Sequence, residues 1–293
     1  MNTARIAELL EPFLRAPIAP PGISVTSESN LFPFSELSHS DALGHSEISQ
    51  LCHSKPAQAG EESAVLSPAQ LLDISTYIDI LIRWNARINL TAVRDPEEIV
   101  TRHFGESLFT ARHLFPTTVH AGTAAPQLFP SHVGTAAQAC PERSRRGCPA
   151  ERSSAAGTLA DLGSGAGFPG LPIKLWAPHI SLTLIESNHK KATFLHEVTR
   201  ALTLTDVDIQ NARAENLTGK AFDVITLRAV ERFESILPVA AALVRPAGLL
   251  ALLIGASQQT PAQTSLPRFT WSKPISIPSS SARILLTGKQ QVP

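Results

Sequence analysis

"TLADLGSGAGFPGLPI", residues 158–173, sets four glycines between positions 163 and 170, after a short apolar run and ahead of a proline-bounded helix start. Glycine at that density lets a backbone take positive φ and approach something closely. Three ligands compete for such a turn: a dinucleotide's pyrophosphate, a nucleoside triphosphate, or another adenosine-bearing cofactor. From Gly165, "GAGFPG" satisfies G-x-G-x-x-G. Glu186 lies about 20 residues on, where a dinucleotide fold places its ribose-binding acid. An NAD-dependent oxidoreductase therefore fits the spacing. A P-loop does not, because no Gly-Lys-Ser/Thr follows to reach a triphosphate and its magnesium. Two details tilt the reading away from NAD. Asp161 ends the strand, where a carboxylate would repel pyrophosphate but can hold the turn or a cationic amino group. Phe168 and Pro169 stand where a phosphate-binding helix start would be open. Both suit S-adenosyl-L-methionine, an adenosine with a zwitterionic sulfonium tail and no phosphate.

Downstream of the turn, strand and helix alternate. "SLTLIES", "DVDIQNA", "FDVITLR" and "GLLALLIG" read as strands, and "RFTWSKPISI" with "ARILLTG" as a final antiparallel pair. Helices are predicted through "PIKLWAP", "NHKKATFLHEVTRALTL" and "FESILPVAAALV". This pattern gives an α/β, Rossmann-like fold: a mostly parallel sheet covered on both faces, with the ligand outside the carboxyl ends of the strands.

Upstream, Ser67 and Pro68 open a helix with Leu71, Ile74, Ile78, Leu81 and Ile82 at helical spacing. Asp95 and Pro96 open another, with Val100, Phe104, Leu108, Ala111 and Phe115 as its buried stripe. On that period Arg102, His103, Arg112 and His113 fall largely off the stripe. The first residues, "MNTARIAELLEPFLRAP", read as an amphipathic helix and not as a secretion signal. Residues 16–64 are rich in Ser, Pro and Gly without a sustained period. In 116–157, "HAGTAAPQLFP" is echoed by "HVGTAAQAC", and "CPERSRRG" by "CPAERSS". Such tandem echoes of small and charged residues read as a low-complexity insertion, and "ERSRR" as solvated linker. The divisions are therefore 1–66, a helix plus a low-order insertion; 67–115, a small helical lobe; 116–157, the second insertion; and 158–293, the main domain.

Twenty-five basic residues balance 25 acidic ones, so a nucleic-acid partner must be met by a local patch and not by a global field. Three cysteines, Cys52, Cys140 and Cys148, offer neither a disulfide framework nor a zinc site, which points to a reducing, cytoplasmic setting. No apolar run approaches the roughly 18 residues that span a bilayer. No metal and no membrane partner are expected.

"DLGSGAGFPGLPI", "WNARINLTAVRDPEEIVTRHFGES" and "FDVITLRAV", in this order, resemble the RsmG (GidB) family of bacterial ribosomal RNA methyltransferases. The resemblance covers roughly 67–115 and 158–255. It implies transfer of a methyl group from S-adenosyl-L-methionine to guanine N7 at position 527 of 16S rRNA, with the small ribosomal subunit as partner and a monomeric chain. It also implies a cofactor pocket formed by Gly163, Phe168, Ala214, Glu215 and Arg228, with Glu186 on the ribose hydroxyls. Two departures stand out. The family usually shows His-x-x-Asp-Ser, where this chain has Glu106 before Ser107; a lysine commonly stands where Ile254 precedes Gly255.

Guanine N7 carries an unprotonated lone pair, so attack on a sulfonium methyl needs no general base, and no catalytic acid or base is expected. Alignment of the reactants is then the main contribution. Arg94, Arg102, Lys190 and Lys191 are the candidate RNA contacts, since basic side chains around a pocket mouth give affinity and orientation. A non-catalytic RNA- or ribosome-binding protein with a degenerate pocket is the alternative from another class.

Overall fold

The computed structural model describes residues 1–15, 66–116, 157–217, 219–229 and 233–292. Both predicted insertions, with the echoing segments and "ERSRR", lie essentially outside the described residues.

Five parallel strands carry the fold: β1 (Thr158–Leu162), β2 (Ser181–Ile185), β3 (Val207–Gln210), β4 (Phe222–Arg228) and β5 (Val244–Gly255). Then follow β6 (Phe269–Trp271), β7 (Ile275–Ser276) and β8 (Arg283–Gln290). The sheet order is β3-β2-β1-β4-β5-β8-β6, with β7 also paired to β8. β8 runs antiparallel to both β5 and β6. The chain order reverses between β1 and β4, which makes that junction the topological switch point where ligands of doubly wound sheets sit.

Strand residues alternate between two cores, as the period of two demands. Leu159, Val224, Ala251, Leu253 and Leu285 enter one. Ala160, Leu162, Ile225, Leu227, Leu250, Leu252 and Ile284 enter the other. The second core is covered by α7 (Phe233–Leu243) and α8 (Gln259–Ser265). Ile254, where the resemblance expects lysine, is buried there at 3% exposure.

The first core is covered by α5 (Gly170–Trp176), α6 (His189–Ala201) and the helical lobe. In that lobe are α1 (Thr3–Arg15), α2 (Pro68–Asn85), α3 (Pro96–Ile99) and α4 (Glu106–Leu114). Ser67 closes a full capping box with Gln70, and Asn188 caps α6 through the amides of Lys190 and Lys191. The amphipathic first helix buries Ile6, Leu10, Phe13 and Leu14. Phe13 lies so close to Gly105 that a Cβ there would meet its ring at 2.5–2.7 Å.

α3 and α4 form one continuous helix interrupted by a π-helical segment, Val100–Gly105. The predicted stripe of Val100, Phe104, Leu108, Ala111 and Phe115 is buried. The expectation for its polar neighbours needs correction, because His103 and Arg112 are buried as well. A π turn closes i→i+5 bonds and so adds a residue, turning the helix face by about 100° relative to a regular period. Arg112 donates to the Phe13 carbonyl at 2.9 Å. Arg102 and His113 remain outside the buried set. Among the described residues, no helix is long and apolar enough to cross a membrane.

Candidate functional site

Strand register brings three of the expected residues to one level. Leu162 pairs with Ile185 on one side and Leu227 on the other, so Gly163, Glu186 and Arg228 are the next residues along. All three stand at the carboxyl edge of the sheet, across the switch point.

The four glycines divide into two kinds. Gly163, Gly165 and Gly167 all have positive φ, at 69°, 55° and 84°. A Cβ on Gly165 would meet only the Gly163 carbonyl oxygen, at 3.7 Å, so that side of the turn has room for a ligand. Gly167 and Gly170 are instead packed against the protein itself. A Cβ on Gly167 would run into the Tyr77 hydroxyl and lie 2.6 Å from Leu171 Cδ1. One on Gly170 would lie 2.9 Å from Asp161 Oδ2. Gly167 and Gly170 are thus required for approach of the chain to its own core, whereas Gly163 is exposed and Gly165 open on its Cβ side.

Asp161 forms the floor. It is 1% exposed, and accepts from Thr226 Oγ1 at 2.8 Å and from the first amide of α5, Gly170 N, at 3.2 Å. Burial pushes its carboxyl up to about 6, against the pull of those hydrogen bonds. The amide that a phosphate would seek at this helix start is therefore already taken by an internal carboxylate.

Glu186, also buried, accepts from Gly165 N at 2.9 Å through Oε2 and from Asn188 N at 2.7 Å through Oε1. A carboxylate offers about four lone-pair sites, so two remain for hydroxyl groups of a ligand. Asn211, which follows β3, donates to the Glu186 carbonyl at 2.9 Å. Beyond it Ala214 is buried and Glu215 exposed, both in a 3-10 turn. A cleft between that turn and α7, lined by Glu215, Leu217, Lys220 and Val239, includes no residue of the glycine turn.

Phe168, expected to line the pocket, has its ring buried at 5% exposure between the lobe's aromatics. It stacks on Tyr77 at 5.4 Å and 3°, and on His103 at 4.8 Å and 28°. Phe104 meets both Tyr77 and Phe168 edge-on. The lobe holds the turn's backbone too: Tyr77 Oη donates to the Ala166 carbonyl at 2.5 Å. Gln70 Nε2 and the Leu175 carbonyl, and Trp176 Nε1 and the Phe115 carbonyl, add 2.8 and 2.9 Å links between lobe and α5.

Arg228 stands in a polar network continuous with the lobe. Its Nε and Nη2 donate to Glu106 Oε2 at 3.2 and 3.0 Å, and Nη2 also to the Arg102 carbonyl at 2.7 Å. Its side chain is 9% exposed and that of Glu106 3%. The pairing partner of Arg228 is thus Glu106. Arg228 Nη2 lies 3.0 Å from His103 Nδ1, and His103 Nε2 lies 2.8 Å from Thr91 Oγ1. An arginine can only donate, so Nδ1 accepts and the imidazole carries its proton on Nε2. Burial, then the cationic Arg228, holds His103 down at about 3. With both nitrogens engaged, the neutral ring of His103 links Arg228 to Thr91. Asn85 fixes the loop ahead of it, accepting from the Leu90 and Thr91 amides and donating to the Thr91 carbonyl.

The four basic candidates differ. Arg94 is committed to its own loop, donating to the Asn85 carbonyl and Asn89 Oδ1. Arg102 pairs with Glu98 at 2.8 Å on the surface. Lys190 is exposed and Lys191 half-buried at the start of α6, after the ligand-facing end of β2. Sequence reasoning missed Tyr77 and Arg283 and left Glu106 without a role. Tyr77 had a signal, as the lone tyrosine of the chain on the apolar face of a capped helix. Arg283 had none beyond its place at a strand start.

A doubly wound 3-2-1-4-5 sheet with a glycine-rich turn and a buried carboxylate at its switch point defines a Rossmann-like α/β protein. Comparison narrows that class. The family model "rRNA small subunit methyltransferase G" (GidB) matches residues 70–121 and 148–283, and the chain belongs to this family. Ribosomal RNA small subunit methyltransferase G of Xanthomonas euvesicatoria pv. vesicatoria is 34% identical over 199 residues, 68% of this chain and 75% of that protein. Its counterpart in Xylella fastidiosa (strain M23) is 35% identical over 192 residues, 65% and 72% of the two chains. Among solved structures, a ribosomal protein L11 methylase from Lactobacillus delbrueckii subsp. bulgaricus matches at TM-score 0.41 and 16% identity, over 46% of this chain and 70% of that one.

Proposed function

We propose that this protein transfers a methyl group from S-adenosyl-L-methionine to N7 of a guanine in 16S rRNA, the position-527 guanine by family resemblance. One observation carries the reading: Gly163, Glu186 and Arg228 stand level across the switch point, beside a glycine edge with room for a ligand. Gly163 and Gly165 would face the donor, Glu186 its ribose hydroxyls, and Ala214 and Glu215 its adenine. Arg228 would hold the donor's tail at the junction with the acceptor. Phe168 would act by fixing the turn against the lobe.

When bound, the donor supplies an electrophilic methyl on a sulfonium. The guanine N7 lone pair forms the new C–N bond as the C–S bond breaks, and the sulfur keeps that bonding pair. The base takes up the positive charge, so no proton has to move. The chain's work is alignment, a contribution that reaches about 7–11 kcal/mol in favourable cases. His103, neutral and engaged at both nitrogens, is consistent with chemistry that needs no general base. The target base in folded RNA has to be exposed or drawn from its stack. Lys190 and Lys191 are the basic side chains best placed to meet the surrounding phosphates. The reading carries a cytoplasmic location, the small ribosomal subunit as partner, and a monomer.

Calorimetry with S-adenosylhomocysteine tests the cofactor assignment. Binding at micromolar levels is expected, weakened tenfold or more in Glu186→Gln. No binding by the folded wild-type protein overturns it.

A further inference from the structure

Two guanidinium groups converge on one buried carboxylate. Besides Arg228, Arg283 Nη2 lies 3.1 Å from Glu106 Oε2. That approach lacks hydrogen-bond geometry, and both Nε and Nη2 of Arg283 are buried without a hydrogen-bond partner among the described residues. At Glu106 two guanidinium groups face one carboxylate, while the buried Asp161 acts on Arg228. A buried, unsatisfied guanidinium N–H costs about 1–3 kcal/mol or more; Nε and Nη2 are closed to solvent, so a ligand from outside would meet the part of the side chain that stays exposed. Solvent reaches Arg283: its side chain is 23% exposed, against 9% for Arg228 and 3% for Glu106.

Register says which ligand that is. Arg228 pairs with Leu253 of β5, Leu253 with Leu285 of β8, and Arg283 pairs with Gly255 at the same carboxyl edge. The donor-side residues Gly163, Glu186, Ala214 and Glu215 follow β1, β2 and β3. Arg283 lies on the other side of Arg228, over β5 and β8, the half of the edge left to the acceptor. We infer that Arg283 binds a backbone phosphate of the RNA substrate next to the target guanine, with Glu106 as the shared counterion that holds the guanidinium ready. The inference rests on the RNA methyltransferase reading and adds a substrate contact to it.

The test measures RNA binding by fluorescence anisotropy, and methylation rates, as a function of salt for wild type and Arg283→Gln. Removing one phosphate contact lowers the slope of log Kd against log salt by about 1. The expected result is that change, with RNA Kd and KM raised about tenfold at low salt and S-adenosylhomocysteine affinity unchanged. Arg283→Lys should restore the slope, which a packing role would not require. An unchanged slope overturns the inference, and so does loss of S-adenosylhomocysteine affinity in a folded variant, which would assign Arg283 to the donor's carboxylate. If Arg283→Gln does not fold, phenylglyoxal labelling of wild type decides. Protection of Arg283 by RNA and not by S-adenosylhomocysteine supports the inference; no labelling, no protection, or protection by S-adenosylhomocysteine alone overturns it. Wild type that binds no 16S rRNA at any salt would instead fail the underlying reading.

Discussion

The Tyr77 hydroxyl donates at 2.5 Å to the carbonyl oxygen of Ala166, so a helix of the lobe holds the glycine turn by its backbone. The ring is fully buried and stacked on Phe168. Tyr77→Phe keeps the stacking and leaves a carbonyl unpaired in the core, which costs about 1–3 kcal/mol. A lower midpoint in urea, with weaker S-adenosylhomocysteine binding in the still-folded variant, is the expected outcome. A stability loss with full affinity would show that the turn holds its shape without the lobe.

The glycines separate by substitution. Gly165→Ala places a methyl in ordinary contact with the Gly163 carbonyl oxygen alone, at φ 55°, and should cost about 1–2 kcal/mol in backbone strain, leaving the fold intact and donor affinity reduced. Gly167→Ala drives a methyl into the Tyr77 hydroxyl at φ 84° and should lose soluble folded protein. Circular dichroism and calorimetry on the pair check this order.

His103 sets a pH dependence of known sign. Its folded pKa, held at about 3, is below the value of an unfolded histidine, about 6.5. The unfolded chain then binds more protons between those limits, so this contribution is fully present above about 6.5 and is lost as pH falls toward 3. Within the window the slope approaches 1.4 kcal/mol per pH unit. Denaturation curves for wild type and His103→Gln should differ by that slope from pH 6.5 downward, and parallel curves would mean the imidazole is not buried neutral.

Arg228 tests the junction. Arg228→Ala would leave Glu106 only the ion pair with Arg283, without its two hydrogen bonds, and breaking a buried pair costs about 3–5 kcal/mol, so Arg228→Lys is the informative change. Lysine keeps the charge and loses the fork that serves Glu106, His103 and the Arg102 carbonyl together. Methyl transfer should fall at least tenfold in a variant that melts within a few degrees of wild type. Full activity would remove Arg228 from the site.

The sheet was legible because strand and helix patterns alternate without interruption from Thr158, and β8 could be read as a strand though not as the neighbour of β5. The lobe's helices were legible through Ser67 and Asp95 as caps, and both accept the expected amides. The failure fell at the π segment. A regular period continued through Val100–Gly105 puts His103 on the surface, whereas the extra residue turns it inward toward Arg228. The Glu106 network was hidden for another reason: its two arginines, Arg228 and Arg283, lie more than 120 residues from Glu106 in the chain, and no local pattern joins them. The crowding of glycines was visible, but not its division, since packing against Tyr77 and Asp161 is a tertiary fact.

The central claim is tested most directly by incubating the protein with a methyl-labelled donor and small-subunit RNA from a strain lacking the enzyme, then mapping the product base. Label on N7 of a single guanine in 16S rRNA is the expected result. Label on another atom or another RNA, or none despite measured donor binding, would contradict the account.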